Sequence, residues 1–462
     1  MAKNCAVILA AGEGTRMKST KPKVLAEVLF KPMIDWVITA VKESGVDDIC
    51  VVTGHMSELV CSHLDEDIKT VLQTERLGTG HAVMQAKDFM EKYSEGNVLI
   101  LAGDAPLMDS ETIGASLKSH IENGNSATVI SAKVPNPFGY GRIVRGGDNA
   151  LERIVEEKEA SPEEKLITEV NSGAYWFNVK ALLDSLGRIT VSKVKKEYYL
   201  TDAIEIIKTA GQKVDAFEAL NDKVVLGANT RVQLLELNEI ARKDELTKHM
   251  LNGVSIPCID GVIIGPGVEI GADTVILPNT IIRGKTVIGK DCEIGPGSLL
   301  ENTTVGDFNT LNSVQSFNAT VGRGCEIGPF VRLRPNTVIG DDVRIGNFVE
   351  IKNSNIGSDT KISHLTYIGD SDFGENINVG CGCATANYSG NAKFRTVVGD
   401  NAFIGCHTCM VAPVNIGEGA YTAAGTTVTK DVPSDALVLS RINQVIKEDW
   451  VKRKNPYKKK EK

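Results

Sequence analysis

The stretch "NTVIGDDVRIGNFVEI", residues 336–351, decides the fold of the second half of the chain. It contains an aliphatic residue followed by glycine twice, six positions apart, at Ile339–Gly340 and Ile345–Gly346. A six-residue repeat with one inward aliphatic side chain is typical of a parallel β-helix, in which three hexapeptides make one triangular coil. A single coil cannot bury its faces, so the stretch predicts that further coils stack on either side of it.

The same aliphatic–glycine pair recurs through most of the sequence after residue 254. Further copies occupy 264–265, 270–271, 288–289, 294–295, 321–322, 327–328, 379–380, 398–399, 404–405 and 416–417. The register breaks between Gly380 and Gly399, where 19 residues stand in place of six. An insertion in a solenoid forms a loop that leaves the coil. We therefore predict a left-handed parallel β-helix of hexapeptide repeats with one projecting loop, followed by a basic, solvated tail.

The first half of the chain has a different pattern. Short apolar runs at 5–10, 49–54, 97–104 and 127–132 alternate with amphipathic stretches such as 33–45. This alternation predicts an α/β, Rossmann-like domain with a mostly parallel, doubly wound sheet.

Between the two halves lies a proline-free amphipathic run that Gly253 ends, which predicts one long helix. The predicted divisions are an α/β domain at 1–228, a linker helix at 229–253 and the β-helix domain at 254–462.

Charge and hydropathy exclude several classes of protein. The net charge is −8, which argues against a nucleic-acid binder, since such proteins usually carry a basic face. The N-terminus lacks the features of a signal peptide, and no apolar run approaches the roughly 20 residues needed to span a membrane. We therefore expect a cytoplasmic protein whose ten cysteines are reduced.

The segment "LAAGEGTRMKSTKPKVL", residues 9–25, carries the first chemical signal. Backbone N–H groups exposed by its glycines can hold phosphate oxygens, and Arg16 and Lys23 add positive charge. The segment resembles the signature of sugar-phosphate nucleotidylyltransferases. Glu13 stands where relatives often carry lysine, and we expect this side chain to point into solvent.

That resemblance implies transfer of UMP from UTP to a sugar 1-phosphate with the help of Mg²⁺. It assigns Arg16 and Lys23 to stabilisation of the transferred phosphoryl group, and Asp104 and Asn229 to the metal. Binding of UTP and of the UDP-sugar is expected at Leu9, Ala10, Gly12, Lys23, Gln73, Gly78, Thr79, Gly141, Glu156, Asn171 and Asn229.

A second group of polar residues interrupts the β-helix pattern. Arg334, Lys352, His364 and Tyr367 occupy positions that are elsewhere aliphatic, small or acidic. Two cations, a tyrosine and an imidazole suit a phosphorylated sugar and a general base, although a lone histidine in a solenoid is more often a surface residue. These segments resemble the acetyltransferase half of the bifunctional bacterial enzymes that make UDP-N-acetylglucosamine, and the likeness then covers essentially the whole chain.

This second resemblance implies that acetyl-CoA acetylates glucosamine 1-phosphate with His364 as the base, with Glu350 and Asn387 expected to support it. It places the sugar phosphate at Arg334, Lys352, Tyr367, Asn378 and Lys393. It places acetyl-CoA at Cys381, Asn387, Tyr388, Cys406, Ala424 and Arg441. It also implies a homotrimer, with small molecules as the other partners.

The insertion itself, "NVGCGCATANYSG" at 378–390, leaves three interpretations open. Cys381 and Cys383, followed by Cys406 and Cys409, could form a zinc site, a redox pair or an acetyl-CoA loop with substituted small residues. Two alternative functions also stay open. One is a single-function nucleotidylyltransferase with a regulatory β-helix, and the other is a β-helix that serves only as a trimerisation scaffold.

Overall fold

The computed structural model describes residues 3–46, 48–147, 149–191, 197–454 and 456. The chain folds into two compact units, Met1–Asp244 and Glu245–Lys462, and each encloses hydrophobic core of its own. A long helix, Arg231–Leu251, begins in the first unit and ends in the second. The boundaries after residues 228 and 253 stay a prediction. Of the basic tail, positions 455 and 457–462 lie outside the described residues.

A central mixed sheet organises the first unit. The strands of this unit are β1 Cys5–Ala10, β2 Glu27–Val28, β3 Lys31–Pro32, β4 Ile49–Thr53, β5 Lys69–Leu72, β6 Asn97–Ala102, β7 Ala127–Lys133, β8 Arg142–Arg145, β9 Leu151–Val155, β10 Glu169–Asn178 and β11 Val214–Glu218. In the central sheet they run in the order β11-β7-β10-β6-β1-β4-β5, and a hairpin of β8 and β9 joins at β10. The four predicted apolar strands are thus confirmed as β1, β4, β6 and β7. The pairings of β1, β4, β5 and β6 are parallel as predicted, whereas β10 runs antiparallel to both β6 and β7.

Helices cover both faces of this sheet. They are α1 Met33–Glu43, α2 Ser57–His63, α3 Thr79–Gln85, α4 Lys87–Met90, α5 Ser110–Glu122, α6 Val179–Leu186 and α7 Thr201–Thr209, and the long helix Arg231–Leu251 is α8. Alternate side chains of β1 enter two different cores, with Val7 in one and Ile8 in the other. This is the consequence of a strand period of two in a sheet that is buried on both faces.

The second unit is a parallel β-helix with three faces, which the strands visit in rotation from Ile263–Ile264 to Thr427–Val428 before Leu437–Val438 joins the third face. The first face contains Ile263–Ile264, Ile281–Arg283, Leu299–Glu301, Val314–Phe317, Val331–Leu333, Glu350–Lys352, Tyr367–Gly369, Ala384–Ala386, Cys409–Val411 and Thr427–Val428. The second contains Glu269–Ile270, Val287–Ile288, Thr304–Val305, Ala319–Val321, Thr337–Ile339, Asn355–Ile356, Ser371–Phe373, Thr396–Val398 and Val414–Ile416. The third contains Val275–Ile276, Glu293–Ile294, Thr310–Leu311, Glu326–Ile327, Arg344–Asn347, Lys361–His364, Asn378–Val379, Phe403–Ile404, Tyr421–Thr422 and Leu437–Val438. A short helix, Trp450–Lys454, follows the coils.

The aliphatic–glycine pair has two separate physical roles in this coil. The aliphatic side chain points inward, and Ile339 and Ile345 are each almost completely buried. The glycine is required by close stacking, because a Cβ on Gly271 would lie 2.6 Å from the backbone of the next coil. The left-handed backbone conformation of the corner belongs instead to the residue two positions later, such as Asp273 with φ 62°. At this pair the glycine therefore serves the close stacking of coils and an aspartate forms the corner, since Asn and Asp tolerate that conformation.

None of the helices in the described part of the chain is both long enough and apolar enough to cross a membrane.

Candidate active sites

A cavity of about 540 Å³ lies where the strands of the first unit's sheet end. That volume falls in the range of small-molecule sites, and the carboxyl edge of an open α/β sheet is where ligands bind. Eight of the residues predicted from the sequence line it, namely Leu9, Ala10, Gly12, Lys23, Gln73, Gly78, Thr79 and Asp104. The sequence-predicted nucleotide residues are therefore brought together around one cavity.

Arg16, Lys23, Asp104 and Asn229 form a compact polar cluster beside this cavity. The Lys23 ammonium pairs with the Asp104 carboxylate and donates to the Asn229 Oδ1 at 3.0 Å. The Arg16 guanidinium donates to the same Asn229 oxygen, also at 3.0 Å. Two oxygen ligands thus converge on one cationic group, although they are 125 residues apart in the sequence. Carboxylate and amide oxygens are ligands that Mg²⁺ accepts, with substrate phosphates and waters completing its shell, so these residues fit such an ion.

Gln73 is held rigidly at the side of the cavity. Its amide Nε2 donates to the Gly78 carbonyl at 3.1 Å and lies 3.1 Å from His81 Nδ1, and the side chain is almost completely buried. The neighbouring Thr79 hydroxyl accepts a hydrogen bond from the Leu200 N–H at 3.1 Å. An amide fixed in this way can read the edge of a base, because its rotamer is already set.

The three residues predicted for the sugar also lie close together, although they do not line the cavity themselves. The Asn171 N–H donates to the Gly141 carbonyl at 2.8 Å, and a Cβ on Gly141 would lie 3.6 Å from the Glu156 carboxylate. The Asn171 side chain donates to the Tyr175 hydroxyl at 2.7 Å, and Tyr175 does line the cavity. Tyr175, whose pKa is raised by burial, thereby connects this group to the nucleotide cavity.

Sequence reasoning missed a pair of charged residues at the same cavity. Glu13 does not simply point into solvent, because its carboxylate pairs with the Arg76 guanidinium at 2.8 Å. Glu197 and Tyr199 also line the cavity and were not predicted. The only available signal for Arg76 was its position between Gln73 and Gly78 in a segment that was already assigned to the nucleotide.

The second group of predicted residues lies on the outer surface of neighbouring coils in the β-helix. His364 is the register partner of Asn347 on the adjacent parallel strand, and its Nδ1 lies 3.1 Å from the Asn347 Oδ1. Since that oxygen can only accept, Nδ1 carries the proton and Nε2 keeps a free lone pair. Glu350 and Asn387, which were expected to support the histidine, form their hydrogen bonds with Arg334 and Asp370 instead. Asn347 is the supporting residue that sequence reasoning missed.

Three cationic side chains, those of Arg334, Lys352 and Lys393, form a cluster next to the face of the β-helix that carries His364. Lys352 lies beside Lys393, and the pKa of Lys352 is lowered first by that neighbouring ammonium and then by burial and by the charge of Arg334. Arg334 is partly neutralised by the Glu350 carboxylate at 2.7 Å. A cluster of three cations indicates a site for an anion, because a bound phosphate would offset their mutual repulsion. Lys393 belongs to the inserted loop, so the loop folds back over the coil.

Asp370 holds the base of this loop. It receives hydrogen bonds from Asn387 in the loop and from Asn353 in the preceding coil. Burial would raise the pKa of Asp370, but these two amides lower it and keep the carboxylate ionised. Tyr367 lies in register with Glu350 on the first face, whereas Asn378 lies in register with Lys361 on the third face, which also carries His364.

The residues predicted to bind acetyl-CoA lie in this loop and in the part of the chain that follows it. Arg441 donates to the Ala424 carbonyl at 3.2 Å, which brings these two together. The Cys381 carbonyl accepts from the His407 N–H at 2.7 Å, so Cys381 and Cys406 occupy neighbouring coils. The Tyr388 hydroxyl donates to the Gly390 carbonyl at the tip of the loop.

The cysteines near the loop do not form a metal centre. All ten cysteines are free, and in the described ranges no group of three or more His, Cys, Asp or Glu side chains could hold a metal ion. The buried Cys383 thiol donates to the Gly405 carbonyl at 3.1 Å, and burial raises its pKa to about 11. Cys381 is half-buried and Cys406 is exposed. The four cysteines therefore fit the interpretation as substituted small residues better than the zinc site.

Comparison with known proteins agrees with both halves of the fold. The "Nucleotidyl transferase" family model matches residues 5–222, and the "Bacterial transferase hexapeptide (six repeats)" model matches 267–302 and 318–353. The "Bifunctional protein GlmU" of Acetivibrio thermocellus is 47% identical over 97% of this chain and 97% of its own. The chain belongs to the GlmU family. Two further proteins of the same name support this membership. The protein of Thermoanaerobacter pseudethanolicus is 48% identical over 96% of this chain and 97% of its own. The protein of Clostridioides difficile is 44% identical over 97% of this chain and 98% of its own.

Membership of the GlmU family establishes both activities. The chain is a UDP-N-acetylglucosamine diphosphorylase and a glucosamine-1-phosphate N-acetyltransferase, with a nucleotide and other small molecules as substrates. The alternatives of a single-function nucleotidylyltransferase and of a purely structural β-helix are therefore wrong. The fold class is also confirmed, with an N-terminal nucleotidyltransferase domain and a C-terminal left-handed β-helix of hexapeptide repeats.

Proposed function

We propose that the cavity of the first unit is the uridyltransferase site and that the outer face around His364 is the acetyltransferase site. The observation that carries the first assignment is the convergence of Lys23, Asp104 and Asn229 at the edge of the nucleotide-sized cavity. The observation that carries the second is the cation group of Lys352 and Lys393 beside a histidine with a free Nε2.

In the uridyltransferase site, an oxygen of N-acetylglucosamine 1-phosphate attacks the α-phosphorus of UTP. The bond to the bridging oxygen breaks and pyrophosphate leaves. Arg16 and Lys23 stabilise the charge that develops on the phosphoryl oxygens, and no covalent nucleophile is required. Asp104 and Asn229 would hold Mg²⁺, which would neutralise the triphosphate and orient it. Gln73, Gly78 and Thr79 position the uracil base.

The sugar of this reaction is assigned to the group beside Tyr175. Gly141, Glu156 and Asn171 would bind the N-acetylglucosamine ring, because their backbone and side-chain groups converge there. Leu9, Ala10 and Gly12 would supply the backbone of the nucleotide site.

In the acetyltransferase site, the amine of glucosamine 1-phosphate attacks the thioester carbonyl of acetyl-CoA. His364 accepts the proton of that amine at Nε2, and the thiolate of coenzyme A leaves. Arg334, Lys352 and Lys393 bind the sugar phosphate, and Tyr367 and Asn378 orient the sugar. The acetyl-CoA contacts are assigned to Cys381, Asn387, Tyr388, Cys406, Ala424 and Arg441.

We also propose that the chain works as a cytoplasmic homotrimer. In support, large apolar side chains from successive coils are stacked along one corner of the β-helix, next to His364. Phe330, Phe348 and Leu365 are 61%, 54% and 58% exposed, and the two phenyl rings stack with centroids 5.5 Å apart. Apolar columns of this kind mark protein–protein contacts. Sedimentation of the purified chain tests the proposal, and a monomer that retains acetyl transfer would refute it.

The experiment that tests the two assignments measures both half-reactions on one preparation. His364→Ala is expected to abolish acetyl transfer and to leave uridyl transfer intact, because the two sites lie in different units. Acetyl transfer that persists in this variant would contradict the role of the histidine. Loss of both activities would mean that the substitution damages more than the base.

A further inference from the structure

One ion pair joins the two loops that border the nucleotide cavity. Glu13 lies between Gly12 and Gly14 in the loop after β1, and Arg76 lies in the segment between β5 and α3. Their side chains meet with an Nη1–Oε2 distance of 2.8 Å, and both line the cavity. The pair therefore spans the two segments that would hold the phosphates and the base.

The position of Glu13 is electrostatically unusual. A glycine loop that binds a triphosphate gains from backbone N–H groups and from cations, whereas a carboxylate in the loop repels the ligand. In the free chain the Arg76 guanidinium neutralises this carboxylate. The side chains of the pair are 49% and 48% exposed, and a pair exposed to that extent is weak. Little free energy is therefore lost when Arg76 leaves Glu13 and binds a stronger anionic partner.

A nucleotide polyphosphate is such a partner. The guanidinium group matches phosphate oxygens with two parallel hydrogen bonds, and such charge-assisted bonds are stronger than an exposed carboxylate pair. The two other cations of this site, Lys23 and Arg16, both bond to Asn229 and so belong to its metal-binding side. Arg76 is held by a different loop and approaches from elsewhere on the cavity lining.

We propose that Arg76 binds the polyphosphate of UTP and that Glu13 holds it across the cavity in the free enzyme until the nucleotide arrives. The inference rests on the uridyltransferase assignment and adds a binding residue to it. Glu13 then acts as a competitor whose removal favours the nucleotide.

The test is a double-mutant cycle of Arg76→Gln and Glu13→Gln in the full chain, read out as the KM for UTP in the uridyl-transfer reaction. Arg76→Gln is expected to raise this KM about tenfold when residue 13 is Glu, which corresponds to the loss of one charge-assisted contact, and by a larger factor when residue 13 is Gln, because Arg76 then has no competing partner. Glu13→Gln alone is expected to lower the KM a few fold. Inhibition by uridine, which carries no phosphate, is expected to be unchanged in all variants.

A different pattern would overturn the proposal. If Arg76→Gln raises the KM only when Glu13 is present, Arg76 merely neutralises that carboxylate and does not bind the nucleotide. An unchanged KM in both backgrounds refutes the contact outright. Lys42→Gln is the matched control, because Lys42 forms a comparable exposed pair with Asp67, 3.1 Å apart, outside the cavity lining. An unchanged thermal unfolding midpoint shows that each variant is folded, and a wild-type chain without uridyl transfer would contradict the site assignment instead.

Discussion

The hydrogen bond between Asn347 and His364 offers a sharp test of the acetyl site. The Asn347 Oδ1 lies 3.1 Å from the His364 Nδ1, which leaves the imidazole Nε2 available for the role proposed for it. Asn347→Ala removes this acceptor without touching the base itself. We predict slower acetyl transfer, because the imidazole then loses both its preferred tautomer and its orientation.

The size of the expected fall in kcat follows from the solvent exposure of the hydrogen bond between Asn347 and His364. Both side chains are on the outer surface of the coil, where a net hydrogen bond contributes about 1 kcal/mol. If that contribution acts in the transition state, kcat falls about fivefold, since about 1.4 kcal/mol corresponds to a factor of ten. Removal of the base itself, as in His364→Ala, is expected to cost a factor of roughly 10² to 10⁴.

The assay is steady-state acetyl transfer to glucosamine 1-phosphate, with uridyl transfer on the same preparation as the internal reference. Asn355→Ala is the matched control, because Asn355 donates to Asp372 at 2.7 Å in the same kind of coil-to-coil bond on another face. The reasoning is refuted if Asn347→Ala leaves kcat unchanged. It also fails if Asn355→Ala slows the reaction equally, since the effect would then be one of coil stability.

Four further outcomes are expected. Asp104→Asn should reduce uridyl transfer at least about a hundredfold and weaken Mg²⁺ binding measured by calorimetry, with acetyl transfer unchanged. Lys393→Met should raise the pKa of Lys352 in an NMR titration, because the neighbouring ammonium that lowers it is gone, so Lys352 would stay charged to higher pH. Ile345→Ala should destabilise the β-helix by roughly 2–5 kcal/mol in chemical denaturation, since the side chain is almost completely buried. Alkylation of the exposed Cys406 should abolish acetyl transfer, and bound acetyl-CoA should protect against it.

Two of these outcomes, for Ile345 and for Cys406, have further controls within the chain. Val338→Ala tests the core argument, because Val338 is 45% exposed on the same coil and should lose little stability. Cys383 should resist alkylation, since burial raises its pKa to about 11. Cys406→Ala should make acetyl transfer resistant to the reagent, and continued inactivation of that variant would place the sensitive thiol elsewhere.

The strands β1, β4, β6 and β7 were predictable because they are largely continuous apolar runs, whereas β5, β8, β9 and β11 mix polar and apolar residues. The direction of β10, Glu169–Asn178, also escaped prediction, since it runs antiparallel between two strands of the same sheet. Its sequence "EVNSGAYWFN" holds Asn171 and Gly173, and the register shifts between Asn171 and Ala174. A strand interrupted in this way lacks a clean period, so its direction could not be derived from the local pattern.

The same unit shows why charged contacts between loops escape prediction. Asp104 follows an apolar strand and Lys23 follows a glycine loop, and both positions are informative by themselves. Glu13 and Arg76 lie in two different loops, and nothing in the sequence sets the distance between them. Only the folded sheet edge, which brings the loops after β1 and β5 together, determines that they pair.

The β-helix permits a stronger kind of prediction, because stacked coils convert sequence spacing into contact. Asn347 and His364 are 17 residues apart and meet, as do Asn353 and Asp370. Any outward side chain should therefore touch the one about 17 positions later, and this rule would have found Asn347. It fails at the insertion, where Asn376 bonds to a residue 25 positions later and where Lys393 reaches back to the coil. The proposed acetyl site is thus assembled by regular stacking and completed by a segment that leaves the repeat. For this reason the repeat predicts the base and its partner, whereas the closure of the phosphate site depends on how a single loop folds.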